Sequence, residues 1–292
     1  MKKNTPYRKA FLALDVIILI LIAIVCIYPI VYVFFASISN PNEFLKYRGF
    51  LYKPLGFTLT AYKGVIENPM VYIGYRNTLI IVVVGVLLNI TLSSLGAYFL
   101  SKKGMMFKGA ILTAIMFTMF FSGGMVPFYL TVKGYGLDNT LWALILPTGI
   151  NTYNMIIMRT SFSSIPSALY EAAEIDGAND VVILTKIVLP LSKSIIAVMI
   201  LFYGVYHWNA WFNAMIFMRD KTLYPLQLVL REILIQNDTS AMSQGGAMAD
   251  TYNIAENIKY AVIIVATVPV LCIYPFIQKY FEKGVMVGAI KG

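Results

Sequence analysis

Four acids, Glu171, Glu174, Asp176 and Asp180, crowd one short polar segment of a chain that is 59% hydrophobic. No His/Asp/Glu or Ser/His constellation accompanies them, so a membrane enzyme acting on lipids or glycans finds no catalytic set here. The single histidine, His207, cannot by itself build a metal cluster. Contact fits these acids better. A polar loop that still keeps helical apolar spacing is suited to dock on another protein.

A second set of residues suits a sugar. Tyr203, Tyr206, His207, Trp208, Asn209 and Trp211 share one apolar run, near its outer half. Sugars offer C–H faces to aromatic rings and hydroxyl edges to amides. At about 100° per residue Tyr203, Tyr206 and Asn213 cannot all face one cavity, and an interfacial aromatic belt with helix packing suits these residues equally. What the chain lacks is as informative. No Gly-x-x-x-x-Gly-Lys-Ser/Thr phosphate loop occurs, so ATP is not bound here by that means. No central carboxylate lies in a long apolar run, Asp15 being the nearest. Ion-coupled secondary carriers generally need such groups.

The elements that must position these residues follow from hydropathy. Charged residues make up 13% of the 292 residues, about half the share of a soluble chain. No Asp, Glu, Lys or Arg occurs in 16–42, 77–101, 109–132, 139–158, 194–218 or 260–278. Each run approaches the roughly 20 residues a helix needs to cross the hydrocarbon. The sequence therefore predicts an all-α membrane protein with six transmembrane helices near 12–36, 77–100, 109–130, 139–158, 194–216 and 259–280.

The first run is too long for a signal-peptide core and is expected to be retained. Basic residues in the N-terminal tail, in 102–108, in 159–193 and near the C-terminus put both termini in the cytoplasm. The net charge of +9 then reads as topology, with no nucleic-acid partner. Cys26 and Cys272 read as small core hydrophobes. Ser122-Gly123-Gly124 and Pro127 interrupt the third span, a break expected either beside a pathway or at a simple helix end. Asn89, Ser93, Ser94, Tyr153 and Asn154 read as interhelical glue. Outside the membrane, 37–76 reads as loop with short helices, and apolar positions 223, 226, 230, 233 and 234 predict an amphipathic helix. Ser240–Ala249 reads as soft.

The acidic segment has its own punctuation. Pro166 can open a helix, along which Leu169, Ala172, Ala173 and Asp176 recur on one thin face. Glu171 and Glu174 suit the positive end of its dipole. Gly177 ends it through a left-handed cap, and Asn179 or Asp180 can cap a second short helix. That helix would bury Val181, Leu184 and Val188 and stop at Leu189-Pro190-Leu191.

Glu171-Ala172-Ala173-x-x-Asp176-Gly177-Ala178, with Ile187-x-Leu189-Pro190-Leu191 downstream, resembles the EAA loop of binding-protein-dependent ABC importer permeases. An aromatic often stands at the position of Leu184 in that pattern, and a proline at that of Ser194. Arg76-Asn77-Thr78, Gly96-Ala97-Tyr98, Trp208-Asn209 and the tail from Lys283 to Gly292 are similar to sugar-importer permeases of the MalG type. Phe121 to Pro127 and Gly136-Leu137-Asp138-Asn139-Thr140 resemble an LplC-like branch associated with oligosaccharides and polysaccharide fragments.

The resemblance implies a type-1 ABC importer permease fold in a bacterial cytoplasmic (inner) membrane. It implies a cytoplasmic N-tail (1–11), a first helix with an external loop (12–76), a core permease domain (77–281) holding the coupling loop 159–192, and a C-tail (282–292). Glu171, Ala172, Ala173, Asp176, Gly177, Ala178, Leu189 and Pro190 would form the ATPase contact. The implied partners are a second homologous permease, an ABC ATPase dimer carrying ATP and Mg, an extracytoplasmic solute-binding protein, a carbohydrate and membrane lipids. No cofactor is expected in this chain. An importer of peptides or amino acids is the alternative, followed by an ion-coupled sugar carrier.

Overall fold

A computed structural model describes residues 6–243, 257–273 and 275 of the chain. Within them the backbone is helical, with one isolated antiparallel bridge between Ser39 and Phe57. The expected span end at 280, the tail 282–292 and most of the soft stretch Ser240–Ala249 lie outside the described residues.

The long apolar runs become helices, but few of them are straight. α1 (Pro6–Ser37) and α4 (Pro69–Ser101) are long and apolar enough to cross a bilayer unbroken. α1 buries none of its apolar window within the chain, so lipid or another subunit must cover it. Between them, α2 (Pro41–Lys46) and α3 (Thr60–Ile66) occupy the expected loop. Pro69 opens α4 eight residues before position 77, as a proline at the first helical position favours.

The third run divides into α5 (Lys108–Phe120) and α6 (Met125–Gly134), bent by 111° at the Ser-Gly-Gly break. The fourth divides as well, into α7 (Trp142–Ile145), a 3-10 turn at Leu146–Thr148, and α8 (Thr152–Ser163). Pro147 accounts for the second break, since it removes a backbone donor and clashes with the preceding turn. After α8 come α9 (Ser167–Ile175), α10 (Asp180–Ile183), a π-helical turn at Leu184–Val188 and α11 (Leu189–Leu191). α12 (Lys193–Trp208) and α13 (Phe212–Phe217) share the fifth run, interrupted at 209–211. α14 (Leu226–Ser243) and α15 (Asn257–Ile273) follow. Thus, among the described residues, two helices qualify as membrane spans by length and composition, or up to four if each bent pair counts as one. α14 buries Leu226, Leu228, Val229 and Leu230, a broader face than the expected stripe.

The chain divides into two compact units, Met1–Pro69 with Leu230–Val268, and Met70–Val229 with Pro269–Gly292. In the first, the Asn257 amide donates to the carbonyls of Ala36 (3.3 Å) and Ser39 (2.7 Å), capping the end of α1. In the second, one cluster joins Ala97, Tyr98 and Leu100 of α4 to Met155, Met158 and Phe162 of α8 and to Val198, Met199 and Tyr203 of α12. Cys26 and Cys272 are exposed rather than enclosed in the core, because their helices turn those faces outward.

Candidate functional site: a capped elbow and a polar seam

The acidic segment folds into a sharp elbow. Pro166 sits one place before α9, with ψ 132°, and not at its first helical residue. The end of α9 is closed by two backbone bonds. Ala178 N–H reaches the Ala173 carbonyl (2.9 Å), and Gly177 N–H reaches that of Glu174 (3.1 Å). This paired arrangement requires a left-handed residue between helix and exit, and Gly177 supplies it at φ +78°.

Two residues on, Asn179 starts α10 by accepting the Val182 N–H at Oδ1 (2.9 Å). The helix then widens into its π turn, so the inward stripe is Ile183, Leu184 and Val188. Val181, expected inside, is 67% exposed. Of the α9 face, Ala173 packs inward, while Glu171, Ala172, Asp176 and Gly177 are exposed and Ile175 is 86% exposed. The elbow therefore presents acids, an alanine and bare apolar tips (Leu169, Ile175, Val181, Leu191) to whatever lies outside. It passes into α12 through an 87° bend at Ser192.

Charges seat this elbow on the end of α4. Asp180 pairs with Lys102 and accepts the Tyr98 hydroxyl (2.8 Å). The lysine and the phenol together hold the Asp180 carboxyl below its ordinary range. Lys108 Nζ donates to the Lys102 carbonyl (2.7 Å), and Arg159 Nε donates to that of Leu100 (3.2 Å). Cations thus satisfy carbonyls that a helix C-terminus leaves open. Tyr170 donates to the Phe162 carbonyl (3.3 Å), and burial raises its phenol. Sequence reasoning missed this seat, because Lys102 and Asp180 lie far apart in the chain.

The second site is a polar seam inside the apolar bundle. The Asn89 amide on α4 donates to the carbonyls of Thr148 (2.6 Å) and Gly149 (3.0 Å), at the break after α7. Its Oδ1 lies 2.7 Å from His207 Nε2 on α12. Ser93 Oγ and Tyr203 Oη pair at 2.7 Å one turn away. Ser94 is buried with no hydrogen-bond partner on its hydroxyl among the described residues, and Tyr153 is exposed rather than engaged as glue.

Of the expected sugar residues, Tyr203, His207 and Trp208 are enclosed within the subunit, whereas Tyr206 and Asn209 are exposed and Trp211 is half-buried. The six do not line one cavity. A groove of about 450 Å³ bordered by Val83, Leu87, Ile200, Leu201, Trp208 and Ile273 is almost wholly apolar, which suits hydrocarbon better than a sugar.

Two further amides stitch this unit near the starts of α4 and α14 and the end of α13. Asn77 donates to the carbonyls of Thr222 (2.8 Å) and Tyr224 (3.0 Å), while Thr78 accepts the Leu226 N–H (2.8 Å) that opens α14. Asn139, left-handed at φ 56°, accepts the N–H groups of Arg219 (2.9 Å) and Asp220 (3.0 Å).

The family model for binding-protein-dependent transport system inner membrane components matches residues 9–287. The polygalacturonan/rhamnogalacturonan transport system permease protein YtcP of Bacillus subtilis is 41% identical, covering 94% of this chain and 96% of its own. Protein LplC of Bacillus subtilis is 39% identical over 99% and 97% of the two chains. Among solved structures, a chain of a bacterial ABC transporter involved in import of the acidic polysaccharide alginate superposes with a TM-score of 0.86. It is 31% identical and covers 96% of this chain and 100% of its own.

Proposed function

The chain belongs to the family of binding-protein-dependent transport system inner membrane components, and from that premise we propose how it works within an ABC importer. It is a transport subunit and not an enzyme. Its cargo is oligosaccharide or polysaccharide fragments, and the relatives that carry polygalacturonan, rhamnogalacturonan and alginate support acidic ones. It crosses the bacterial cytoplasmic membrane six times, with both termini inside. A second homologous permease completes the pathway, a solute-binding protein delivers the sugar from outside, and an ATPase dimer with ATP and Mg powers the cycle.

The observation that carries this reading is the elbow. α9 is too short to be stable alone, yet it is closed at its end by Gly177, followed at once by an Asn179-capped turn, and seated on α4 through Asp180. Such a piece moves as a body with whatever grips it. Glu171, Ala172, Ala173, Asp176, Gly177 and Ala178 form the gripped part, with Leu189 and Pro190 carrying the motion into α12. The sugar path runs past the exposed side of α12 and the break after it, with Tyr206, Asn209 and Trp211 the nearest candidates. Tyr203, His207 and Trp208 stand behind them.

The test is reconstitution with the cognate permease, ATPase and binding protein. Wild-type complexes should couple sugar uptake to ATP hydrolysis stimulated by the loaded binding protein. A variant with Glu171→Lys should insert and assemble but import nothing. Import at wild-type rates by that variant overturns the coupling role.

A further inference from the structure

His207, expected beside a sugar, is instead enclosed between helices. It is 1% exposed, and its ring lies against Gly85. A Cβ at position 85 would sit 2.5 Å from Nε2, so only glycine lets the ring approach α4 this closely. The ring's one recorded hydrogen-bond contact is Nε2 to Asn89 Oδ1, and Nδ1 has no hydrogen-bond partner among the described residues.

Three facts fix where the proton is. Carbonyl oxygens only accept. The two oxygens that meet Asn89 on one side, those of Thr148 and Gly149, therefore face its NH₂ group and use both of its hydrogens. The amide oxygen then faces His207 and can only accept. Nε2 must carry the hydrogen. A proton on Nδ1 as well would leave a charged, unpaired N–H in the apolar interior, which is far costlier than a bare nitrogen.

We propose that His207 is a positioning residue held as the neutral Nε2–H tautomer. Through Asn89 it keeps the carbonyls of Thr148 and Gly149, at the open end of the 3-10 turn, satisfied, and so fixes the register of α4, α12 and the broken fourth segment. Unwound backbone at membrane depth needs such partners. With them in place the break is a stable part of one conformational state. Without them the state that holds the break loses population to others, and transport slows even though the sugar contacts remain. The transport half of this inference rests on the permease reading above, while the tautomer half does not.

Because the chain has one histidine, nitrogen NMR on histidine-labelled protein in bilayers reports on His207 alone. At neutral pH the wild type should show a protonated Nε2 and a bare, pyridine-type Nδ1. In Asn89→Leu, which removes the acceptor, the Nε2 resonance should move. An Nδ1–H tautomer, an imidazolium, or an Nε2 resonance unmoved by Asn89→Leu overturns the assignment.

In the reconstituted importer, His207→Gln keeps an N–H donor and should retain most uptake. His207→Phe should lower the maximal rate about tenfold, the population shift that loss of one buried hydrogen bond produces, with little change in the half-saturating concentration of loaded binding protein. Wild-type uptake by inserted His207→Phe, or failure of His207→Gln alongside it, overturns the positioning role. A wild-type importer that moves no sugar sinks the functional reading and leaves the NMR result to decide this one.

Discussion

The elbow at 167–191 and the seam around Asn89 meet the same need by opposite means. Both are places where helices break, and a break strands backbone groups. In the elbow those groups are met from within a few residues, by Gly177, Ala178 and Asn179, and the outward faces stay open to a partner. In the seam the partner comes from another helix altogether, and the faces are closed. Water can cover a poorly capped elbow; nothing in hydrocarbon can cover an unmet carbonyl. The elbow keeps its outward face exposed, as the coupling role proposed above requires, and the seam is buried.

The largest test of that contrast is functional. Glu171→Lys, or Gly177→Asp, should abolish uptake while leaving insertion intact, as measured by transport in vesicles beside a quantified membrane fraction. Beyond its chain neighbours, no atom of the described residues lies within 4 Å of a Cβ placed at Gly177, so loss of transport by Gly177→Asp would reflect strain at φ +78° and interference with the proposed ATPase contact, and not a clash inside this chain.

Next comes stability. Asn89→Leu strands two carbonyls and the His207 N–H, each costing about 1–3 kcal/mol when unmet. It should lower the unfolding temperature of the detergent-solubilised protein well beyond Asn179→Ala, whose lost cap costs about 1 kcal/mol. Equal shifts would erase the distinction between seam and elbow. Gly85→Ala should destabilise by about 1–3 kcal/mol through overpacking against His207, read out in the same thermal assay.

The smallest effect belongs to the elbow's seat. The Lys102–Asp180 pair is exposed enough that Asp180→Asn should cost under about 1 kcal/mol. Its pH dependence has a definite sign. The folded carboxyl titrates below its ordinary value, so its contribution is complete above that ordinary value and is lost as pH falls through the depressed one. Uptake and elbow protection in hydrogen exchange should therefore be insensitive to this group from neutrality down to about pH 5. A loss centred near pH 6 would mean that Asp180 is not seated this way.

Much of the elbow was legible because its signals are local. Gly177 as a left-handed cap and Asn179 as an N-cap act over three or four residues, within the reach of sequence patterns. The inward stripe was legible only in part. Val181 was expected inside, but the π turn at Leu184–Val188 widens the helix and sends Ile183 inward instead. No residue type announces a π turn. The span pattern was legible as apolar length and not as straight helices. Ser122-Gly123-Gly124 announced one break, while the break at Pro147 went unread because hydropathy alone passes over it.

The distances say why the rest was hidden. Asn179 reaches a backbone group 3 residues away. Asn89 reaches one 59 residues away, Asn77 one 145 away, and His207 meets Asn89 across 118. By itself the sequence determined that the chain is apolar and helical, where its elbow bends, and that it carries no Gly-x-x-x-x-Gly-Lys-Ser/Thr phosphate loop. Those follow from hydropathy, local capping and a missing loop. Only the tertiary structure decided which buried amide serves which broken helix, because a side chain's partner across the bundle depends on how helices are stacked. Apolar spacing specifies that a face is buried and leaves open what it meets.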